Sequence, residues 1–283
     1  MEETPHCYRH PGRETLVSCS ECNRPICEEC MTFAPVGIRC PEHANIGAPK
    51  GQAKRAARRV QYSTRRSAAP ATIALIALNV VFYLATVAQG NGINNPGGSL
   101  FREMLLSGYD VSNGDWYRLA TVMLLHGSII HLAFNSFALY LLGTAVEQTI
   151  GTMRFLLVYF ASGLAGSAGA LLLTDPFQAT VGASGAIFGI MGTLLVLEYL
   201  ATGTLAGQAM TMIVLNLVLT FAIPNISIGG HLGGLVGGIA AMAGLAFARR
   251  QRAKLLGPAL VVGVGVIAVV IAALRVESFG GGF

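Results

Sequence analysis

At 283 residues, 53% of them hydrophobic and only 12% charged, the chain falls well below the roughly 25% charged content of a soluble domain. A mean hydropathy of +0.59 and repeated long apolar runs exclude an ordinary soluble protein and point to an all-α polytopic membrane protein, because helices satisfy their own backbone groups inside lipid. The formal net charge of +5 is concentrated beside the apolar runs, which reads as membrane topology and contact with anionic headgroups rather than as nucleic-acid binding.

Residues 1–45 form a small polar module that holds all six cysteines of the chain. Its ligand-type residues run Cys7-x2-His10-x8-Cys19-x2-Cys22-x4-Cys27-x2-Cys30-x9-Cys40-x2-His43. The x2 gap lets one tight turn aim two side chains at one metal, and eight ligands suffice for two tetrahedral zinc ions. Disulfides are disfavoured, since two of the pairs contain histidine and the module is expected on the reducing side of the membrane. The pattern resembles the B-box type of zinc finger over residues 7–43. That resemblance implies a cross-braced arrangement, with Cys7, His10, Cys27 and Cys30 on one ion and Cys19, Cys22, Cys40 and His43 on the other; the spacing itself leaves sequential pairing open. A module this small buries little core, so the metal is expected to hold its fold. With every ligand position filled by protein, its role is to bind a protein partner or to regulate.

Residues 46–70 read as a basic linker, with seven Lys/Arg between Lys50 and Arg66 directly before the first apolar run. The N-terminus has no signal-like apolar stretch, so the first span is expected to be retained. Seven spans follow at about 71–88, 128–146, 155–174, 184–200, 209–223, 231–248 and 255–274, the fifth short against the ~20 residues a bilayer asks for. A second basic cluster, Arg249, Arg250, Arg252 and Lys254, follows the sixth. With both clusters cytoplasmic, the N-terminus is cytoplasmic, residues 89–127 form an outer segment, and residues 275–283 lie outside a bacterial plasma membrane. The expected organisation is a zinc module (1–45), the linker, a six-helix core (71–248) and a seventh helix with a short tail (249–283).

Within "TVGASGAIFG", Ser184 opens the fourth span, where free helix N–H groups favour negative charge. Taken alone it could be a small residue that lets helices touch. His231, in "GGHLGGLVGG", falls at the same outer depth on the sixth span. Glycines at 230, 234 and 238, and at 185 and 189 on the fourth span, recur every fourth residue and offer flat faces for close approach. That approach would place an imidazole beside a hydroxyl, as an activated serine requires. His131 and Asn135, in "HLAFN", share a face of the second span at the same depth, where two neutral donors could serve an oxyanion.

"WYR", "HGSIIHLAFN", "VEQTIG", "GASGAIFG" and "GGHLGG", in this order over roughly 71–248, resemble the rhomboid family of intramembrane serine proteases. The resemblance implies a six-helix rhomboid-like core plus one C-terminal transmembrane helix. It makes Ser184 the nucleophile and His231 the general base of a dyad. His131, Asn135 and the Ser184 N–H stabilise the oxyanion, Gly182 and Gly185 permit close approach, and Phe188 supplies a ring beneath His231. Trp116 and Arg118 are split by Tyr117 where many relatives have adjacent Trp-Arg, so their roles carry over less directly; His126 and Glu147 read as structural. The implied substrate is a single-span membrane protein cut near the outer face, with no cofactor for catalysis. The alternatives are a catalytically silent scaffold that binds membrane helices, or a transporter, the latter opposed by the lack of an internal repeat. Asp175, the one acidic residue close to the nucleophile in sequence and on the outer side, precedes Pro176 and reads as a turn residue rather than a third member of the site.

Overall fold

The computed structural model describes residues 4–33, 37–44 and 69–279, and the chain divides into two units, 1–65 and 66–283. The basic linker expected over 46–70 falls outside the described residues except for its last two positions.

The N-terminal unit is built from turns. Strand β1 (His6–Cys7) pairs antiparallel with β2 (His10–Glu14), and β3 (Thr32–Phe33) with β4 (Ile38–Arg39). Apart from cysteines, Ile26 is its one buried hydrophobic residue among those described. A single isoleucine is far too little apolar burial to offset the ordering of some forty residues.

Among the described residues the second unit is built on seven apolar helices: α1 (Pro70–Gln89), α2 (Ile129–Ile150), α3 (Thr152–Leu173), α4 (Ser184–Thr202), α5 (Gln208–Ala222), α6 (Ile228–Arg250) and α7 (Leu256–Glu277). Six are long and apolar enough to cross a membrane. The fifth is shorter, about 22 Å by helical rise against a hydrocarbon core of roughly 30 Å. Its two ends are nevertheless tied to opposite ends of the bundle. Near the C-terminus of α4, Glu198 accepts the Gln208 and Ala209 N–H groups at 2.9 and 2.8 Å. At the other end of α5, Thr220 meets His231 in the first turns of α6.

The helices pack through glycine. A Cβ at Gly234 would overlap the Gly185 backbone, and one at Gly238 the Gly189 backbone, while Gly229 and Gly233 sit against Gly169 of α3. The faces expected from the sequence are therefore in contact, and α6 lies wedged between α3 and α4. Without side chains in between, dispersion contacts and shape hold the helices together, as they must in lipid.

One boundary departs from expectation. The second span was expected to end near 146, yet α2 runs on to Ile150, with a π-helical turn over Leu139–Gly143. Glu147 therefore lies within the helix at 2% exposure. Its carboxylate accepts the Ala71 and Thr72 N–H groups at 3.1 and 2.8 Å and the Thr72 and Thr152 hydroxyls at 2.8 Å each. A fully satisfied carboxylate need not end an apolar helix. It caps α1, whose own N-terminus has no side-chain cap, and ties three helices together at one end of the bundle.

The segment between α1 and α2 folds over the other end in short helical turns, Gly98–Met104, Gly108–Ser112 and Arg118–Thr121. Arg118, 6% exposed, holds it. Its guanidinium donates to the Arg102 and Leu105 carbonyls at 2.6 and 2.9 Å and pairs with Asp115 at 2.9 Å. Reciprocal backbone bonds between Leu106 and Thr180, 3.1 and 2.8 Å, fix this segment to the chain that leads into Ser184. Of the "WYR" motif, Trp116 and Tyr117 stay exposed and the arginine carries the structure.

Candidate active site

Two histidines and a serine occupy the first turns of three helices at the same end of the bundle. Ser128 caps α2 by accepting the His131 N–H at 3.2 Å, and Ser227 caps α6 by accepting the Gly230 N–H at 3.1 Å. Side-chain caps of this kind fix where a helix begins and hence where its first side chains point. Ser184 is the first residue of α4, so its own N–H has no acceptor within the helix.

Across the glycine contact between α4 and α6, the Ser184 Oγ lies 2.8 Å from the His231 Nε2. The Phe188 ring stacks on the imidazole with centroids 4.1 Å apart and planes inclined by 18°. His231 is buried behind Ser184, which is half-buried and lines a narrow cleft with Val181, Gly182, Ser227 and Gly230. A buried imidazole held to a serine hydroxyl, with access from a cleft, is the arrangement that can take the hydroxyl proton as the oxygen attacks.

The other expected residues converge from α2. Gly182 has φ +126°, and a Cβ there would stand 2.8 Å from the His131 Cε1 and Nε2 and 3.7 Å from the Asn135 Nδ2. Glycine is thus required twice over, by backbone conformation and by the approach of His131. The Asn135 Nδ2 is buried and has no hydrogen-bond partner among the described residues. An unspent buried donor costs stability, and one beside Gly182, two residues before Ser184, could serve charge that develops only during reaction. His126 packs edge-on against His131, centroids 5.1 Å apart.

Sequence reasoning missed one residue here. The sequence reading names Phe188 as the ring beneath His231 and no partner for its Nδ1; the Thr220 Oγ1 lies 2.7 Å from that nitrogen. Asp175 faces elsewhere, its carboxylate accepting the Phe177 N–H at 2.9 Å in a turn. The only hint of Thr220 in the sequence is that it is one of two threonines, with Thr211, in the short fifth helix.

In the N-terminal unit the ligand-type atoms gather into two groups, Cys7, His10, Cys27 and Cys30, and Cys19, Cys22, Cys40 and His43, each with all atoms within 4.8 Å of one another. The grouping matches the cross-braced pairing and not the sequential one. In the first, the His10 Nδ1 lies 3.8, 3.3 and 3.4 Å from the sulfurs of Cys7, Cys27 and Cys30. In the second, the His43 Nδ1 lies 3.8 and 3.2 Å from those of Cys19 and Cys40, and the Cys22 and Cys40 sulfurs are 3.9 Å apart. Tetrahedral zinc, with Zn–S of about 2.3 Å and Zn–N of about 2.0 Å, sets ligand–ligand edges of roughly 3.5–3.8 Å. The Cys7 and Cys19 thiols are held down at about 6 and about 5. Burial opposes their ionisation, and hydrogen bonds from the backbone at Cys27 and Cys40 and from the His10 and His43 side chains outweigh it. A thiolate is the form that ligates metal; burial pushes Cys30 and Cys40 up instead, so it is the clustering of the ligand atoms that fits both groups to a soft divalent ion.

Comparison with known proteins places these features among relatives. The family model described as Rhomboid domain matches residues 113–249. Rhomboid protease GluP of Bacillus subtilis (strain 168) is 42% identical over 166 residues, which cover 54% of this chain and 32% of that protein. Putative rhomboid protease YdcA of the same organism is 37% identical over 177 residues, 60% of this chain and 85% of its own length. RHOMBOID-like protein 5 of Arabidopsis thaliana is 35% identical over 136 residues, 45% of this chain and 43% of that protein. The chain thus spans about a third of GluP and most of YdcA.

Proposed function

The chain belongs to the rhomboid family, and we propose that it is an intramembrane serine endopeptidase that uses Ser184 as nucleophile and His231 as general base. The observation that carries this reading is the 2.8 Å contact between the Ser184 Oγ and the His231 Nε2 across two membrane helices. An ionisable residue buried among apolar membrane helices is costly unless it has work to do. As the Ser184 Oγ attacks a peptide carbonyl carbon, its proton passes to the His231 Nε2 and the carbonyl oxygen becomes an oxyanion. His131, the Asn135 Nδ2 and the Ser184 N–H donate to that oxyanion. The tetrahedral intermediate collapses, the C–N bond breaks, and His231 returns the proton to the leaving amine. Water, deprotonated by the same imidazole, then hydrolyses the acyl-enzyme and releases Ser184.

By resemblance to the rhomboid proteases the substrate is a transmembrane segment of a single-span protein, and a site at the end of the bundle covered by the segment between α1 and α2 suits a cut near the outer face. A helical peptide bond is enclosed by its own turn, and local unwinding must precede attack. The N-terminus is then cytoplasmic, the C-terminus is outside, and the setting is a bacterial plasma membrane. The two Cys/His groups hold one structural zinc ion each, which would supply most of the folding free energy of that unit; none of the peptide-bond chemistry passes through them, and the module offers a surface for a protein partner.

A fluorophosphonate probe tests the nucleophile without any knowledge of substrate. Wild type should be labelled and Ser184→Ala should not, with both proteins purified in folded form. Equal labelling of the two would remove Ser184 from its role.

A further inference from the structure

His231 has two ring nitrogens, and only one protonation pattern suits a general base. The Nε2 must carry a lone pair toward Ser184, so the proton must sit on Nδ1. In a triad an aspartate holds that proton in place. Here the Nδ1 faces the Thr220 Oγ1 at 2.7 Å, and the same Oγ1 lies 2.7 Å from the Asn216 carbonyl oxygen, one turn earlier in α5. A threonine hydroxyl has one proton and a carbonyl oxygen can only accept, so the Thr220 proton goes to Asn216. The Thr220 oxygen is then left as an acceptor aimed at Nδ1. The chain of donors runs Ser184 to His231, His231 to Thr220, and Thr220 to the α5 backbone, with every proton accounted for. Thr220 is 2% exposed, which leaves little room for water to take its place, and the Asn216 Nδ2 donates to the Met212 carbonyl at 2.8 Å, which anchors the turn beneath it.

We propose that Thr220 is a positioning residue that fixes the reactive tautomer and orientation of His231, an uncharged counterpart of a triad carboxylate. The inference rests on Ser184 and His231 acting as proposed above. A neutral oxygen stabilises the imidazolium less than a carboxylate does, so its removal should cost less than the ~10⁴-fold seen on replacing a triad aspartate. A hydrogen bond to a charged group corresponds to roughly 10- to 100-fold in rate. The placement also makes the seating of α5 a condition of activity, since Ser184 and His231 stand on α4 and α6 and their third partner does not.

The test uses the full chain in proteoliposomes with a model transmembrane substrate, reading kcat, KM, the rate of fluorophosphonate labelling and thermal stability. Thr220→Val keeps the shape and removes the oxygen; it should lower kcat and the labelling rate together by roughly 10- to 100-fold while KM stays within about twofold. Thr220→Ser, which restores the acceptor, should recover most of both rates, and Asp175→Asn should match wild type. Thr220→Ala is measured in parallel, so that misfolding of the valine variant leaves the serine-against-alanine comparison to decide. Wild-type kcat and labelling in Thr220→Val or Thr220→Ala, or equal losses in the serine and alanine variants, would overturn the inference. If Ser184→Ala still cleaves, the serine reading itself fails; if Ser184→Ala is dead and Thr220→Ala is fully active, only the role of Thr220 does.

Discussion

Replacing Asn135 by leucine should move activity and stability in opposite directions. Its Nδ2 is buried without a partner, and the residue is 8% exposed, so the folded protein carries a desolvated donor worth about 1–3 kcal/mol of lost stability. Leucine has the same branched outline and no donor; its methyls are bulkier than the amide atoms, but removal of the unpaired donor should let stability hold or rise by up to that amount. Catalysis should suffer, because loss of one oxyanion donor typically costs about 10²–10³ in kcat, or roughly 2.7–4 kcal/mol of transition-state stabilisation. Turnover of a reconstituted transmembrane substrate gives the first quantity, and an unfolding titration of the same preparation gives the second. A variant that keeps kcat within about fivefold of wild type, or that loses stability while keeping kcat, would refute the reasoning and make Asn135 a structural residue.

Glu147→Ala should do the reverse: it strips four donors of their shared acceptor and should cost on the order of 3–5 kcal/mol in an unfolding titration. Its folded fraction should still label with a serine-directed probe, because Glu147 lies about 24 Å further along α2 than His131 by helical rise; loss of labelling from folded protein would contradict this. Metal analysis of the purified chain should find two zinc ions, falling to one in Cys27→Ser, and a wild-type content of one or none would contradict the eight-ligand reading.

The parts of the site legible in the sequence were those where chemistry conflicts with surroundings. A serine, two histidines and an asparagine at one depth of apolar helices are expensive there, and the glycines at 185, 189, 234 and 238 marked which faces meet. The two Cys/His groups were legible for a related reason, since x2 pairs leave little freedom, although only the folded chain gathers the ligand-type atoms in the cross-braced rather than the sequential grouping. Thr220 was hidden because a threonine in an apolar helix can satisfy itself on the preceding turn, as it does on Asn216, and its second contact exists only once residues 223–227 fold α5 back beside α6. Glu147 reads as structural in the sequence, but its four donors lie on α1 and at the start of α3, so only the fold shows how its charge is satisfied by hydrogen bonding.

The central claim is that a hydroxyl and an imidazole brought together by glycine packing between α4 and α6 cleave peptide bonds in the membrane. Cleavage of a single-span model substrate in proteoliposomes, followed by gel and by mass of the products for wild type, Ser184→Ala and His231→Ala, tests it most directly. Wild type should yield two fragments cut near the outer end of the substrate helix, and neither variant should yield any, though both insert and fold. Cleavage by either folded variant at the wild-type rate would contradict the account.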